Sequence, residues 1–334
     1  MKELSFLFIL LTSFVSCNDN IVTENTPLNV FNAFWKTIDE RYVYFEEKQV
    51  NWDSVYNKYN ERVKVIKTDD ELAEVLQEII NLFKDQHLGI VRSSNVYIGY
   101  EQYNNLTYNY FPLFMHDFNP IPKFYNLNAI PFIYEHDRKK YIYLRYDSFL
   151  YQNTVQLFQS KLDSLNYSEG IILDIRNNGG GFSYFALDLA AMFFLGERVA
   201  FTEKPKSGTE KNDFRQQTSV KYYGKNIIPS TIPIIILTSN RTYSAGNLFA
   251  FLMADLPNCI IIGDKTGGGG SSIKSVYLPN SWILYYPNSK KYSSTGLNME
   301  YGLKPDYLYN NKSASDSTSL IMALNILDSI NSFK

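Results

Sequence analysis

Cysteine is scarce in this chain, and so is histidine, the other residue on which metal sites most often depend. The 334 residues include only 2 cysteines and 3 histidines. Cys17 follows an N-terminal apolar run and Cys259 begins an apolar segment, so the two provide no disulfide framework once the N-terminus is processed. The cysteines and histidines also lack the spacing of a metal site. The spacing therefore predicts no metal site, and we also expect a protein without a cofactor.

A strong net charge of either sign is also missing. The 32 basic and 34 acidic side chains give a formal net charge of −2, and the basic residues form no cluster. Because a nucleic-acid surface needs such a cluster, we exclude nucleic acid as a partner. A chain of this length with 45% hydrophobic residues can form one large α/β domain or two smaller ones.

The only notable apolar run at the N-terminus, residues 4–15, is shorter than the ~20 residues that a membrane-spanning helix needs. It follows Lys2 and ends at Ser16-Cys17, a pattern typical of a signal peptide. The small residue before Cys17 resembles the processing site of bacterial lipoproteins, at which Cys17 would be lipidated. We expect a lipoprotein signal peptide over residues 1–17, a tether over 18–27, and an exported, membrane-anchored protein that faces the periplasm or the cell exterior. The alternative is an ordinary signal peptide with an incidental cysteine.

The spacing of apolar residues divides the remaining chain into three parts. Residues 28–87 predict a helical domain with three helices, of which the second covers 52–66 and the third is opened by a capping box, Thr68 to Glu71. Residues 88–138 predict a small β-rich linker region of short strands and loops. Residues 139–334 alternate strands with helices, a pattern that favours a mostly parallel sheet covered on both faces.

The alternating part gives specific expectations. We predict strands over 141–146, 170–175, 232–237 and 259–262, and helices over 153–166, 182–195, 244–254 and 313–332. Two short strands are expected around Pro279-Asn280, and the polar segment 203–219 is expected to be a long loop.

Two of the predicted strands end in segments that suggest chemistry. The strand over 170–175 is soon followed by three glycines, Gly179 to Gly181. A ligand can approach their bare backbone N–H groups closely. The strand over 232–237 leads to Ser244, which lies where a strand turns into an apolar helix. One strand end thus offers N–H donors and the other a hydroxyl, which suggests an oxyanion hole and a nucleophile.

Five segments in one order resemble the carboxyl-terminal-processing (tail-specific) serine peptidases, in the branch that includes the tricorn core. The segments are Asp85-Gln-His-Leu-Gly89, Asp174-Ile-Arg-Asn-Asn-Gly-Gly-Gly181, Tyr243-Ser-Ala-Gly-Asn247, Gly263-Asp-Lys-Thr-Gly267 and Glu300-Tyr-Gly-Leu-Lys-Pro-Asp306. The resemblance covers roughly residues 28–330. It implies a Clp-protease/crotonase-like ββα core behind the N-terminal three-helix bundle. Relatives often carry a PDZ module, for which residues 88–138 are too few.

The resemblance offers two ways to activate Ser244. In one branch a lysine twenty-five residues later is the base, but that position holds Gly269 here, and Lys265 lies four residues short of it. In the tricorn-like branch the base is a histidine from the N-terminal helical part, oriented by a downstream carboxylate. His87 and Glu300 match those positions, so we expect a Ser244–His87–Glu300 triad.

The same resemblance suggests the residues around the triad. The backbone N–H of Gly179 or Gly180, together with that of Ala245, would form the oxyanion hole. Asp174 and Arg176 are expected to brace the glycine loop. Asn247 stands where many relatives carry an acidic residue.

These expectations describe a membrane-anchored serine endopeptidase that acts on unfolded or C-terminal polypeptide segments. Two alternatives remain open. The first is a catalytically inactive lipoprotein that binds peptides or other ligands in the same groove. The second is an acyl-CoA enzyme, because crotonases share the sheet type, although export makes a cytosolic cofactor improbable.

Overall fold

The computed structural model describes residues 25–92, 97–100, 129–136, 139–150, 168–309 and 318–332. The predicted signal peptide with Cys17, most of the tether, His116 and the predicted helix over 153–166 lie outside these ranges. Within the described ranges, each helix is either too short or too polar to cross a bilayer.

Seven α-helices lie in the described ranges: α1 Pro27–Arg41, α2 Phe45–Lys48, α3 Trp52–Lys64, α4 Asp69–Phe83, α5 Ser183–Ala190, α6 Ala245–Ala254 and α7 Thr318–Ser332. The capping box at the start of α4 is confirmed. The Thr68 hydroxyl accepts from the Glu71 N–H at 3.3 Å, and the Glu71 carboxylate accepts from the Thr68 N–H at 3.1 Å. The short helix α2 was not predicted, because four residues carry no periodicity.

The same ranges contain thirteen strands: β1 Gly89–Val91, β2 Tyr97–Gly99, β3 Ala129–His136, β4 Lys139–Tyr146, β5 Gly170–Asp174, β6 Leu195–Pro205, β7 Thr218–Lys225, β8 Ile234–Thr238, β9 Cys259–Gly263, β10 Ile273–Tyr277, β11 Ile283–Pro287, β12 Ser289–Tyr292 and β13 Tyr307–Leu308. The largest sheet has six strands in the order β13-β9-β8-β5-β4-β3, and all of its pairs are parallel except β3 with β4. The predicted parallel sheet is therefore confirmed.

Helices cover both faces of this sheet, because its central strands are apolar on both sides. In β5, Ile171 and Leu173 point into a core with α5 and α6, while Ile172 points into a second core with α7. This alternation follows from the two-residue period of a strand. The carboxyl ends of β5 and β8 lie side by side in this sheet, and the glycine loop and Ser244 follow them in the chain.

Two parts of the sequence prediction are wrong. The helix expected over 182–195 ends at Ala190, and a 3-10 turn over Ala191–Phe193 then leads into β6. The loop expected over 203–219 is shorter, because β6 extends to Pro205 and β7 begins at Thr218. The β6–β7 hairpin is largely solvent-exposed, with Leu195 76% exposed, so it lacks the apolar pattern of a buried strand.

The helical unit does not close its core with its own residues. Strands β1 and β2 form a four-stranded antiparallel sheet with β10 and β11, which come from the C-terminal half of the chain. Leu278, Trp282 and Leu284 of that hairpin pack in the same core as α1, α3 and α4. The unit that ends at His87 is therefore bound tightly to the larger α/β unit, along an interface next to Ser244.

Candidate active site

Ser244 lies at the turn between β8 and α6, in a backbone conformation that residues other than glycine rarely adopt. Its φ is 54° and its ψ is −118°. Such a strained strand-to-helix turn lifts the hydroxyl above the sheet edge, and strain of this kind is maintained at functional sites. The turn is fixed on one side by the Ser244 N–H, which donates to the Gly268 carbonyl at 2.9 Å.

His87 reaches Ser244 from the helical unit. Helix α4 is followed by Lys84, which has a left-handed conformation, and the chain then turns toward Ser244. The backbone N–H of His87 donates to Asp85 Oδ1 at 2.8 Å, and its Nε2 lies 3.0 Å from Ser244 Oγ. This is the distance at which a base takes a proton from a hydroxyl.

Burial sets the protonation state of His87, which is only 6% exposed. Burial lowers the pKa of the imidazole to about 4, assisted by the positive charges of Lys291 and Lys48 and opposed by Asp85. His87 is therefore neutral at neutral pH and can accept the Ser244 proton.

Asp85 connects the segments that carry the two residues. Its carboxylate accepts from the Tyr42 hydroxyl at 2.7 Å and from the Tyr243 hydroxyl at 3.2 Å, in addition to the His87 N–H. Tyr243 directly precedes Ser244, and its ring meets the His87 ring edge to face at 4.9 Å. Sequence reasoning included Asp85 in a motif but gave it no role. The sequence did offer a signal for this role, because Asp85 is an acidic residue two positions before the candidate base His87.

Glu300 is buried in the 3-10 turn Met299–Tyr301, close to the same cluster. Its Oε2 accepts from the Gly270 N–H at 2.9 Å, and its Oε1 lies 2.7 Å from Lys48 Nζ. Burial raises the pKa of Glu300 to about 7, with a further contribution from Asp85, against the lowering effect of Lys48.

Within the described ranges, His87 Nδ1 has no hydrogen-bond partner. The Glu300 carboxylate contacts Gly270 and Lys48, so the structure places Glu300 near the site without a direct bond to the imidazole. Nothing in the sequence pointed to a role for Lys48, because it lies in a four-residue helix that is too short to predict.

The glycine loop lies directly against Ser244. Gly180 has a φ of +110°, and a Cβ at this position would lie 2.7 Å from Ser244 Cβ. Its N–H donates to Asn178 Oδ1 at 2.9 Å, so this donor is already used. Gly179 faces open space. Ala245 is the first residue of α6, where backbone N–H groups lack partners within the helix. The bond to Asn178 therefore disfavours Gly180 as the donor of an oxyanion hole.

Asp174 and Arg176 form a buried ion pair at the base of this loop. Arg176 Nε and Nη2 donate to the two Asp174 oxygens at 2.9 and 2.6 Å. Burial would raise the pKa of Asp174, but Arg176 and the Tyr143 hydroxyl hold it below its usual value. Arg176 also donates to Ser319 of α7 at 2.8 Å. These contacts hold the start of the glycine loop against β5 and α7.

Asn247 is fully buried in the first turn of α6 and bonds at both ends of its amide. Its Nδ2 donates to the Met299 carbonyl at 2.9 Å, and its Oδ1 accepts from the Thr266 hydroxyl at 2.6 Å. It therefore ties the turn that carries Glu300 to the helix that begins beside Ser244.

The remaining candidates lie apart from this cluster. Lys265 is exposed to solvent. His136 belongs to β3, within the largest sheet. Cys259 is an unpaired thiol at the start of β9, and burial raises its pKa well above the usual value. The arrangement as a whole combines a strained serine, a neutral histidine, a buried carboxylate and a glycine loop beside the serine, which are the groups that acyl transfer requires.

Two family models match the chain. The model of peptidase family S41 matches residues 140–309, and the model of the tricorn protease C1 domain matches residues 24–81. The first match includes the glycine loop, Ser244 and Glu300, and the second includes α1, α2 and α3.

Individual relatives agree with these matches. The chain is 28% identical over 165 residues to the nisin-resistance protein of Lactococcus lactis subsp. lactis, which covers 47% of this chain and 51% of that protein. It is 26% identical over 103 residues to the carboxyl-terminal-processing protease of Synechocystis sp., which covers 31% of this chain and 22% of that protein. The chain thus spans about half the length of these curated relatives or less.

A solved structure supports the fold over nearly the whole chain. The crystal structure of a candidate peptidase from Parabacteroides merdae superposes with a TM-score of 0.79 at 27% identity, and covers 90% of this chain and 96% of that chain. The predicted Clp-protease/crotonase-like fold is confirmed.

Proposed function

Because this chain belongs to peptidase family S41, we propose that it is a serine endopeptidase whose nucleophile is Ser244 and whose general base is His87. The observation that carries the proposal is the 3.0 Å contact between His87 Nε2 and Ser244 Oγ. A neutral imidazole at this distance is in the protonation state that a base needs.

The proposed reaction is acyl transfer in two halves. Ser244 Oγ attacks the peptide carbonyl while His87 Nε2 takes the hydroxyl proton, and the backbone N–H groups of Gly179 and Ala245 stabilise the oxyanion. The imidazolium then gives its proton to the leaving amine, which leaves an acyl-enzyme. Water hydrolyses the ester with the same histidine as base, and Ser244 is restored.

Glu300 is proposed as the carboxylate of the triad, acting on His87 through its charge. The imidazolium that forms during the reaction is positive and buried, so a nearby negative charge lowers its energy. Because the pKa of Glu300 is raised to about 7, this charge is complete only above neutral pH.

The substrate is proposed to be an unfolded or C-terminal polypeptide segment. The similarity to the carboxyl-terminal-processing protease of Synechocystis supports this class. Extended segments also suit this site, because an extended backbone can approach both Ser244 and the glycine loop.

We further propose that the protein is exported and held at a membrane by a lipid on Cys17. The apolar run before Ser16-Cys17 supports this proposal. In Triton X-114 partition, the wild-type protein is expected in the detergent phase and Cys17→Ala in the aqueous phase. Equal partition of the two proteins would contradict the lipid anchor.

The test of the catalytic assignment is hydrolysis of an unstructured fluorogenic peptide by purified variants. We expect Ser244→Ala and His87→Ala to lose turnover, Glu300→Gln to lose most of it, and exposed Lys265→Ala to retain it. An active His87→Ala with an inactive Lys265→Ala would reject the triad in favour of a lysine base. If the folded wild-type protein binds such peptides but leaves them intact, the inactive binding protein becomes the better account.

A further inference from the structure

Helix α2 and the residue before it contact the α/β unit through four polar contacts. Each contact joins the unit that carries His87 to the unit that carries Ser244. The contacts are Tyr44 Oη to the Gly270 carbonyl at 2.5 Å, Lys290 Nζ to Glu47 Oε1 at 2.8 Å, Asn298 Nδ2 to Glu47 Oε1 at 3.1 Å, and Lys48 Nζ to Glu300 Oε1 at 2.7 Å.

Lys48 differs from the other members of this group, because its partner is the proposed triad carboxylate. The side chain of Lys48 is 16% exposed and that of Glu300 is 2% exposed. Burying a carboxylate without a cation is costly, and removal of one partner from a buried pair leaves the other uncompensated. Glu300 therefore depends on Lys48 to remain ionised.

Lys48 also contacts the end of the helix that presents His87. Its Nζ lies 3.4 Å from the carbonyl oxygen of Lys84, the left-handed residue that ends α4. One ammonium group thus forms an ion pair with Glu300 and donates a hydrogen bond to the turn that leads to His87.

We propose that Lys48 is a positioning residue of this active site, which keeps Glu300 as a carboxylate and ties it to the turn that presents His87. This inference rests on the proposed function, because Lys48 matters for catalysis only if Glu300 is the carboxylate of the triad.

The charges around Glu300 indicate what the loss of Lys48 would do. The groups that face this carboxyl are the carboxylate of Asp85, the ammonium of Lys48 and the phenols of Tyr42, Tyr44 and Tyr243. Asp85 disfavours the charged form and Lys48 favours it. Without Lys48, the pKa of Glu300 rises further above about 7, so ionisation requires a higher pH.

The chain offers a matched control in Lys290. Lys290 forms an ion pair with Glu47 across the same interface, with side chains 14% and 7% exposed, whereas the cation that acts on Glu300 is Lys48. A Lys290→Met variant weakens the docking of α2 without removing the cation from Glu300. A Lys48→Arg variant keeps the cation and tests whether charge alone is sufficient.

The experiment measures kcat and KM for a fluorogenic peptide from about pH 6 to about pH 9. We expect Lys48→Met to lower kcat on the order of tenfold near neutral pH, with recovery as the pH rises and little change in KM. Lys48→Arg should restore most of the activity. Lys290→Met should keep the pH profile of the wild type, whatever its stability.

A second measurement does not require turnover. In protein labelled with 13C at the glutamate carboxyls, the Glu300 signal can be assigned by its absence from Glu300→Gln. Its titration midpoint should rise by about one pH unit or more in Lys48→Met and stay in place in Lys290→Met.

A wild-type midpoint in folded Lys48→Met would overturn the inference, as would a loss of kcat that is equal at every pH and matched by Lys290→Met. If the wild-type protein fails to cleave peptides, the proposed function fails. The carboxyl titration then still decides whether Lys48 controls the charge of Glu300.

Discussion

His87 Nε2 and Ser244 Oγ lie 3.0 Å apart, although the two residues are separated by 157 positions in the sequence. Both lie in backbone turns with a positive φ. Lys84, shortly before His87, has a φ of 50°, and Ser244 itself has a φ of 54°. Asp85 bonds both segments, through the His87 N–H and the Tyr243 hydroxyl. The proposed activity therefore depends on how the helical unit docks on the α/β unit.

Two adjacent glycines are expected to respond differently to a methyl group. Gly180→Ala should destabilise the fold, because its Cβ would lie 2.7 Å from Ser244 Cβ and its φ of +110° disfavours alanine. Gly179→Ala should keep the stability of the wild type, since no protein atom lies within 4 Å of the added carbon. Urea unfolding compares the two variants. Equal stability of both variants would contradict the close contact of Gly180 with Ser244.

Asn247 is expected to be required for stability in its amide form. Asn247→Ala leaves the Met299 carbonyl and the Thr266 hydroxyl without this partner, which should cost about 2–3 kcal/mol in the free energy of unfolding. Asn247→Asp should also destabilise, because a carboxylate cannot donate to Met299. Urea unfolding measures both losses. An Asn247→Asp variant as stable as the wild type would show that the bond to Met299 contributes little.

Removal of Lys291 is expected to make His87 more basic. The charge of Lys291 helps to lower the pKa of His87 to about 4, after the larger effect of burial. Lys291→Met should therefore move the imidazole titration to higher pH, followed by NMR and assigned through its absence from His87→Ala. Exposed Lys265→Met is the control, because solvent screens its charge. A downward shift, or the same shift in both variants, would contradict the assignment of Lys291.

The buried pair Asp174–Arg176 should show strong coupling. Arg176→Met leaves the Asp174 carboxylate buried without a cation and should cost about 3–5 kcal/mol in the free energy of unfolding. The double variant Asp174→Asn with Arg176→Met should lose less than the sum of the single variants, because it leaves no buried charge. Denaturant unfolding of the four proteins gives the coupling. Additive losses would mean that the pair does not brace the loop through its charges.

Much of the architecture was predictable because it depends on local chemistry. The capping box at Thr68 and Glu71 marks the start of α4, and the apolar segments around Ile171 and Ile235 mark central strands. Ser244 and His87 were identifiable through their motifs. These features require only short segments of sequence.

The rest depends on contacts between distant segments. The β6–β7 hairpin escaped prediction because the apolar run through Phe193 and Phe194 continues the pattern of α5 into Leu195. The contacts of Lys48 with Glu300 and of Asp85 with Tyr243 arise only when the helical unit docks on the α/β unit. The Gly180 N–H likewise looked free in the sequence, because its bond to the Asn178 side chain is a property of the folded loop.

The central claim is that His87 activates Ser244 as a nucleophile. The most direct test is covalent labelling of the purified protein with a fluorophosphonate probe, followed by mass-spectrometric mapping of the modified residue. We predict one label on Ser244 of the wild-type protein, and none on folded His87→Ala or Ser244→Ala. A folded wild-type protein that remains unlabelled, or one that is labelled at another residue, would contradict the account.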